Sequence, residues 1–284
     1  MENLKSVIEY VNDSFEVYLG KKDHVSASDI KNFLNSPRYY QYKKHEEVKG
    51  EQADHFRLGT AIHCAILEPH LFKSDYVVSP KFDGRTTIGK QQKADFEREA
   101  VGKSIIDVVE MGIISKIAEN AMKNETLMEL LKDSHREISC YTIDEKTGLK
   151  IRLRPDSLSI NKSTITDLKS CLNSSKKGFT KDVYNYGYII TASFYSDFLG
   201  KDNYVFAGLC KTEPYEVALY MLDDEKMEFG RSQYRMGLDL IKWCETNNFY
   251  PSYNDFEILK NSYELGDLDN YLDTLSKSEK ITII

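Results

Sequence analysis

The strongest constraint on the fold is a change of period near residue 137. Upstream of it, apolar residues recur at helical spacing. Leu58 to Leu67 places Ile62, Ala65 and Ile66 on one face, and Asp107 to Leu131 does the same with Val108, Met111, Ile114, Ile117, Ala118, Ala121 and Met122. Ser28 starts a further helical run that reaches Pro37, after which Arg38 to Lys44 adds another turn. Downstream, the runs become short and strand-like. Glu137 to Ile143, Leu149 to Ile160 and Ser163 to Leu168 read as three strands, joined by the turns Asp144-Glu145-Lys146-Thr147-Gly148 and Asn161-Lys162. Helical spacing resumes from Lys176 to Leu199, two strands follow at Tyr204 to Cys210 and Tyr215 to Leu222, and Asp224 to Asn247 forms a long helix. This order predicts an α/β or α+β fold with a mixed β-sheet flanked by helices. The expected organisation is one domain over 1–284, with a mainly helical part at 1–135, a sheet core at 136–250 and a C-terminal tail at 251–284.

Charge is distributed unevenly along the chain. The net charge is −7, yet residues 146–181 hold nine Lys/Arg against two acids, a local +7, while residues 1–145 sum to −5 and 182–284 to −9. A basic block in an acidic chain points to a polyanion, its ordinary alternative being a solvated face. No apolar run approaches the roughly 20 residues of a membrane span, and the first 20 residues lack a signal-peptide core. An intracellular, cytoplasmic protein without a membrane partner is expected. Cys64, Cys140, Cys171, Cys210 and Cys244 are too dispersed for a disulfide framework, a zinc site or an iron–sulfur cluster, and read as buried thiols.

The basic block encloses Arg154-Pro155-Asp156, then ten residues, then Asp167-Leu168-Lys169. Adjacent strands lie about 4.8 Å apart, so Asp156 and Asp167, each near the end of its own strand, can converge on one point. Converging carboxylates suit a hard divalent cation such as Mg²⁺. Lys169 shares the face of Asp167, where its ammonium can orient an attacking water and offset charge on a phosphate. Upstream, His63 in Leu58-Gly59-Thr60-Ala61-Ile62-His63 stands on a helix. Alone it reads as a structural histidine, but beside the carboxylates it can complete a metal shell. Glu68 reads as a local cap or ion-pair partner.

In the order GxxxH, PD, DLK, these motifs resemble the RecB-type branch of the PD-(D/E)XK nucleases, and more closely the phage and prophage exonuclease VIII (RecE-type) proteins. The resemblance runs from Val25-Ser26-Ala27-Ser28 and Asn35-Ser36-Pro37-Arg38-Tyr39-Tyr40, through Phe56 to His63, Leu67-Glu68-Pro69, Arg85-Thr86 and Gly89-Lys90. It continues through Thr147-Gly148-Leu149, Arg154-Pro155-Asp156, Asp167-Leu168-Lys169 and Tyr188 to Asp197. It implies a PD-(D/E)XK restriction-endonuclease-like core and a Mg²⁺-dependent 5′→3′ exonuclease on double-stranded DNA ends, with Mn²⁺ able to substitute. The 3′ overhang would pass to a single-strand annealing protein (RecT-like), the enzyme would form a ring-like homo-oligomer, and the setting would be phage- or prophage-encoded. His63, Asp156, Asp167 and the Leu168 backbone carbonyl would hold metal, and Lys169 would position the nucleophilic water. The family usually carries a Gln four residues before a conserved Tyr; here Thr191 stands at the Gln position, while Tyr195 is retained. Expected DNA contacts are Arg85, Lys90 and Lys93 on a loop entering a helix, Arg154 in the basic block, and Lys176 and Lys177 after the DLK strand. Tyr39, Tyr40 and Tyr42 either stack on a base or pack. Two rival readings stand beside the exonuclease: an endonuclease or nickase of the same superfamily, and a weakly active or non-catalytic DNA-end-binding recombination protein.

Overall fold

A computed structural model of the chain describes residues 7–45, 54–268 and 271. Residues 269, 270 and 272–284 of the expected tail, and the side chain of Phe56, lie outside the described part. The first part of the chain runs β1 (Glu9–Val11), α1 (Phe15–Gly20), α2 (Ala27–Asn35), α3 (Pro37–His45), α4 (Asp54–Leu67), α5 (Pro69–Asp75), β2 (Tyr76–Ser79), α6 (Thr87–Glu99), β3 (Ser104–Asp107), α7 (Val108–Lys123) and α8 (Glu125–Leu131). The second part is β4 (Ser134–Arg136), β5 (Ser139–Ile143), β6 (Lys150–Leu153), β7 (Ser157–Ser159), β8 (Thr164–Cys171), α9 (Lys176–Asn185), α10 (Tyr188–Leu199), β9 (Asn203–Cys210), β10 (Val217–Met221), α11 (Asp224–Asn247) and α12 (Tyr253–Glu264).

The central sheet has the order β10-β9-β8-β7-β4 and is mixed, because β8 and β9 pair in parallel and the other pairs are antiparallel. Parallel neighbours need a crossover connection, which α9 and α10 supply. Alternation along β8 sends its side chains into two cores. Ile165 and Cys171 join Ile30, Phe33, Phe179, Phe194 and Phe206 on one face, while Leu168 joins Ile62, Ile114, Ile117 and Leu209 on the other. The sheet is therefore covered on both faces, and β8, at its centre, is the strand that carries Asp167 and Lys169.

Three continuous runs expected from the periodicity are broken, each by an identifiable residue. The long helix from Asp107 to Leu131 ends at Asn124, which closes α7 and caps α8 by accepting from the Leu127 N–H at 3.0 Å. The helical stretch from Lys176 to Leu199 divides at Gly187, whose φ of +61° suits glycine. Most consequentially, the expected strand Leu149 to Ile160 divides at Arg154-Pro155-Asp156. There β6 stays in a three-stranded sheet of order β1-β5-β6, while β7 joins the central sheet. Pro155 offers no N–H to a ladder, so pairing stops there and the chain changes sheets. The expected start of α2 also moves: Ser26, not Ser28, caps it, in a capping box with Asp29. Within the expected tail, α12 packs Phe256 and Leu259 into the core.

Phe206 is fully buried in β9, against Phe179, Tyr188 and Tyr204. Phe206→Ala should cost about 3–5 kcal/mol of stability, the usual loss for a buried aromatic. Chemical denaturation checks this; a loss below 1 kcal/mol would mean that the aromatic cluster does not hold α9 and α10 on the sheet.

Candidate active site

The strand registers set three carboxylates in a row. Ser157 pairs with Thr166, so the residue before β7, Asp156, falls opposite Asp167. Arg136 pairs with Ser157, so the residue after β4, Glu137, falls opposite Asp156 on the other side, where its N–H donates to the Asp156 carbonyl at 3.2 Å. Glu137, Asp156 and Asp167 thus stand side by side across three adjacent strands. Like charges directly opposite one another destabilise a sheet, so the row implies a cationic partner.

Part of that partner belongs to the chain. The Lys169 Nζ lies 2.6 Å from each oxygen of the Asp167 carboxylate, and only the Oδ1 contact is angled as a hydrogen bond, so the buried Oδ2 keeps accepting capacity. Asp156 Oδ2 accepts from the Leu168 N–H at 2.7 Å. Arg154 donates through Nε to Glu137 at 3.0 Å, and to the Asp13 carbonyl and the Ser139 hydroxyl. On α4, Ile62 and Ile66 bury into the second core and leave His63 at the sheet end, with Nδ1 3.4 Å from Asp156 Oδ2. Gly59, one turn earlier, lets α4 approach β8: a Cβ there would sit 3.3 Å from Ser170 Oγ.

Burial dominates the electrostatics. It drives the Asp156 pKa well above the usual carboxylate range, reinforced by the charge of Asp167 and only partly opposed by Lys169. Burial also raises Glu137, against the pull of Arg154. Burial alone would depress the Lys169 ammonium, but Asp167 and Asp156 outweigh it and hold the group above the ordinary lysine value. His63 is pushed down to about 4, first by burial and then by the charge of Lys169, so at neutral pH it is an uncharged imidazole with a lone pair to give.

His63, Glu137 and Asp156 each offer a ligand atom, all within 4.8 Å of one another. A neutral imidazole with carboxylates, next to the buried Asp167 Oδ2 that keeps accepting capacity, fits a divalent cation that takes oxygen and nitrogen donors. Of the expected holders, His63 and Asp156 fall in this group of side chains together with Glu137, while the Asp167 carboxylate beside it is turned onto Lys169. Nothing in the local sequence marks Glu137, because its role comes from a register between β4 and β7 that only the fold defines.

The other expected residues divide. Tyr188 lies over Lys169, with the ammonium 5.2 Å from the ring centroid, and the Tyr195 hydroxyl accepts from the Arg154 N–H at 3.2 Å. Thr191 lies between them on the same face of α10, its hydroxyl buried without a hydrogen-bond partner. That face looks onto the site, as the spacing predicts. Lys176 and Lys177 are exposed at the start of α9, with no acid in ion-pair reach among the described residues. Arg154 is corrected: its side chain is 11% exposed and committed to Glu137, so it is no free phosphate contact. Exposed Arg85 pairs with Asp83 and Lys93 with Glu97, and Lys90 shares α6 with Lys93. Among the described residues no contact joins these three to the carboxylate row. Tyr40 is packed against Phe33, whereas Tyr39 and Tyr42 are exposed. Glu68 stands at the start of α5 without capping it and lies outside the ligand set.

A mixed sheet with carboxylates aligned across its strands, and a lysine two residues beyond the last of them, defines the PD-(D/E)XK class. The chain belongs to the family described as "PDDEXK-like domain of unknown function (DUF3799)", which matches residues 26–261. Among solved structures it is similar to the "Putative exonuclease" from Eubacterium rectale, at 14% identity and a TM-score of 0.62 over 85% of this chain and 88% of that one. Lower scores relate it to a phage related exonuclease from Haemophilus somnus 129PT (11% identity, TM-score 0.36, 82% of this chain and 100% of that one). They also relate it to an alkaline exonuclease from Laribacter hongkongensis (13%, 0.33, 83% and 97%). No curated protein sequence matches the chain.

The raised pKa of Asp156 has a thermodynamic consequence. The folded chain holds this proton to higher pH than the unfolded chain does, so stability falls as pH rises past the ordinary carboxylate range, until the folded group is ionised. Asp156→Asn keeps an oxygen for the Leu168 N–H and removes the charge. In EDTA at neutral pH the variant should be more stable than wild type by about 0.5–2 kcal/mol, with the gap closing in acid. Thermal melts across that range measure it, and a variant that melts lower at neutral pH would contradict the repulsion.

Proposed function

We propose that the chain is a divalent-metal-dependent deoxyribonuclease that acts as a 5′→3′ exonuclease on double-stranded DNA ends. The observation that carries the reading is the convergence of His63, Glu137 and Asp156 beside the Asp167–Lys169 pair at one end of the central sheet. When bound there, a Mg²⁺ or Mn²⁺ ion supplies Lewis acidity toward a phosphate oxygen and lowers the pKa of a water. The chain does the rest. The carboxylate row and the neutral His63 hold the cation, and Arg154 holds Glu137 in place. Lys169, fixed between Asp167 and the Tyr188 ring, orients the attacking water and offsets charge that grows on the phosphate. The exonuclease direction rests on the motif resemblance, and the protein from Eubacterium rectale that shares the fold carries the description "Putative exonuclease". The same reading carries a ring-like oligomer, delivery of the 3′ overhang to a single-strand annealing protein, and a phage-type recombination setting. Among the described residues no helix is long and apolar enough to cross a membrane.

Linear duplex labelled separately at each end, with supercoiled circle as control, distinguishes the alternatives. An exonuclease shortens the linear DNA from its 5′ ends and leaves the circle intact; a nick in the circle would favour an endonuclease. Asp167→Asn and Lys169→Ala should each reduce cleavage to below a few per cent while DNA binding persists, because binding draws on phosphate contacts elsewhere. Ca²⁺ should bind without supporting turnover, its longer and looser coordination misplacing the water. Full activity in EDTA, or in either variant, would remove the mechanism.

Thr191 sets an expected rate. Its unpartnered hydroxyl between Tyr188 and Tyr195 is too short to reach as far as the Gln usual there, and a misplacement of about 1 Å costs on the order of a hundredfold. Thr191→Gln should preserve or raise the cleavage rate with little change in Tm. A fall in both would show that the site is filled by packing and that a longer side chain overfills it.

A further inference from the structure

A second lysine approaches the active site from a position that falls between the quoted motif segments. Lys31 lies on α2, which packs against α10 and α11. Its carbon chain crosses directly over Gly187, where a Cβ would come within 2.8 Å of Lys31 Cδ, and its Nζ donates to the Tyr186 carbonyl at 3.3 Å. Among the described residues no carboxylate lies within ion-pair distance of it. The surroundings are hostile to a cation. Burial first, and then the charge of Lys169, bring the Lys31 pKa down to about 8. The nearby start of α10 has no side-chain cap and presents the positive end of its helix dipole. Asp167 and the Tyr186 carbonyl offset only part of this cost, and a methionine would pack over Gly187 without it, so the ammonium is suited to an anion.

Tyr186 stands at the same point. The residue is 59% exposed, and its ring lies 5.7 Å, tilted by 32°, from that of Tyr188, which covers Lys169. An aromatic track therefore leads from the catalytic lysine to the surface, with the Lys31 ammonium at its side. An exposed ring one step from a phosphate-binding lysine is what an unpaired base stacks on.

We propose that Lys31 and Tyr186 form a nucleotide subsite next to the scissile position, with Lys31 binding the neighbouring phosphate and the Tyr186 ring stacking on the base attached to it. The subsite rests on the nuclease reading above, and it adds a handhold on the strand being cut beyond the metal and Lys169.

The test uses linear duplexes in which one phosphate, on either side of the scissile linkage in turn, is replaced by a neutral methylphosphonate, and others in which the adjacent nucleotide is abasic. Binding is read by anisotropy in Ca²⁺, and single-turnover cleavage in Mg²⁺. Lys31→Met should weaken binding of the unmodified duplex about three- to tenfold and lower the salt slope by about one; Lys31→Arg should restore both. One methylphosphonate position should weaken wild type by the same factor and leave Lys31→Met unaffected. Tyr186→Ala should lose roughly tenfold on normal DNA and nothing further on the abasic duplex, with Tyr186→Phe near wild type. Multiplicative losses at every position, or an unchanged salt slope, would overturn the subsite, as would a matched fall in Tm that Lys31→Arg fails to repair. The two readouts separate the ideas. DNA bound with the expected couplings but not cut would remove the nuclease reading alone, and cleavage with multiplicative losses would remove the subsite alone. Neither binding nor cleavage would remove both.

Discussion

The site is organised around two aspartates, Asp167 buried and Asp156 nearly so, that face each other across the β7–β8 register. Two like charges at that spacing, away from water, repel, and the neighbouring groups act to contain the repulsion. The Leu168 N–H holds Asp156, Lys169 holds Asp167, and Arg154 holds Glu137. What remains is a raised pKa at Asp156 and Glu137, so in the absence of a cation the fold carries an electrostatic cost. Sites that bind and catalyse commonly keep such a cost, because the ligand relieves it at the moment of binding. In the proposed enzyme, the energy invested in bringing the carboxylates together would be recovered as affinity for a cation.

The basic block turns out to serve the fold more than the substrate. Lys146 pairs with Asp239, Lys150 with Asp23, Arg152 with Asp29, Arg154 with Glu137 and Lys162 with Glu129, so five of its positive charges are matched by acids from elsewhere in the chain. The local excess visible along the sequence is thus largely neutralised in three dimensions. Of the nine, Lys176, Lys177 and Lys181 on α9 remain exposed without an acidic partner among the described residues. With a net charge of −7, the chain as a whole offers a polyanion no overall electrostatic attraction.

The fold class was legible because hydrophobic period reports burial directly, and the change near residue 137 separates helix-rich from strand-rich sequence. Asp156, Asp167 and Lys169 were legible because their relation is local: a hairpin and a two-residue spacing. Glu137 was not, because it reaches the row through the β4–β7 register, which no spacing encodes. Nor was the fate of Arg154, since the residues that bind it, Asp13, Glu137 and Ser139, come from separate segments. The three broken elements share one cause. Periodicity integrates over several residues, whereas Asn124, Pro155 and Gly187 each act at a single point, by a cap, a missing donor and a positive φ. The break at Pro155 matters most, because it turns the chain from one sheet into the other and sets Asp156 at the point of turning.

Helix α10 shows how the core's packing is converted into the geometry of the site. One side of it is pinned against α11 by Ile189, Ser193 and Phe194, all buried: Ser193 donates to the Met227 carbonyl, Phe194 meets Tyr234, and Ile189 packs over Gly230. With that side immobilised, the opposite face cannot shift: Tyr188 must cover Lys169, and the Tyr195 hydroxyl must meet the Arg154 N–H at the break before Asp156. The same helix therefore supports both members of the opposed pair, Asp167 through its lysine and Asp156 through the backbone that precedes it. Close packing makes such an arrangement stiff, because interiors resist displacement at the scale of a single methylene. A helix packed this way can hold two like charges together without yielding, which the strands alone, each free to twist, would not.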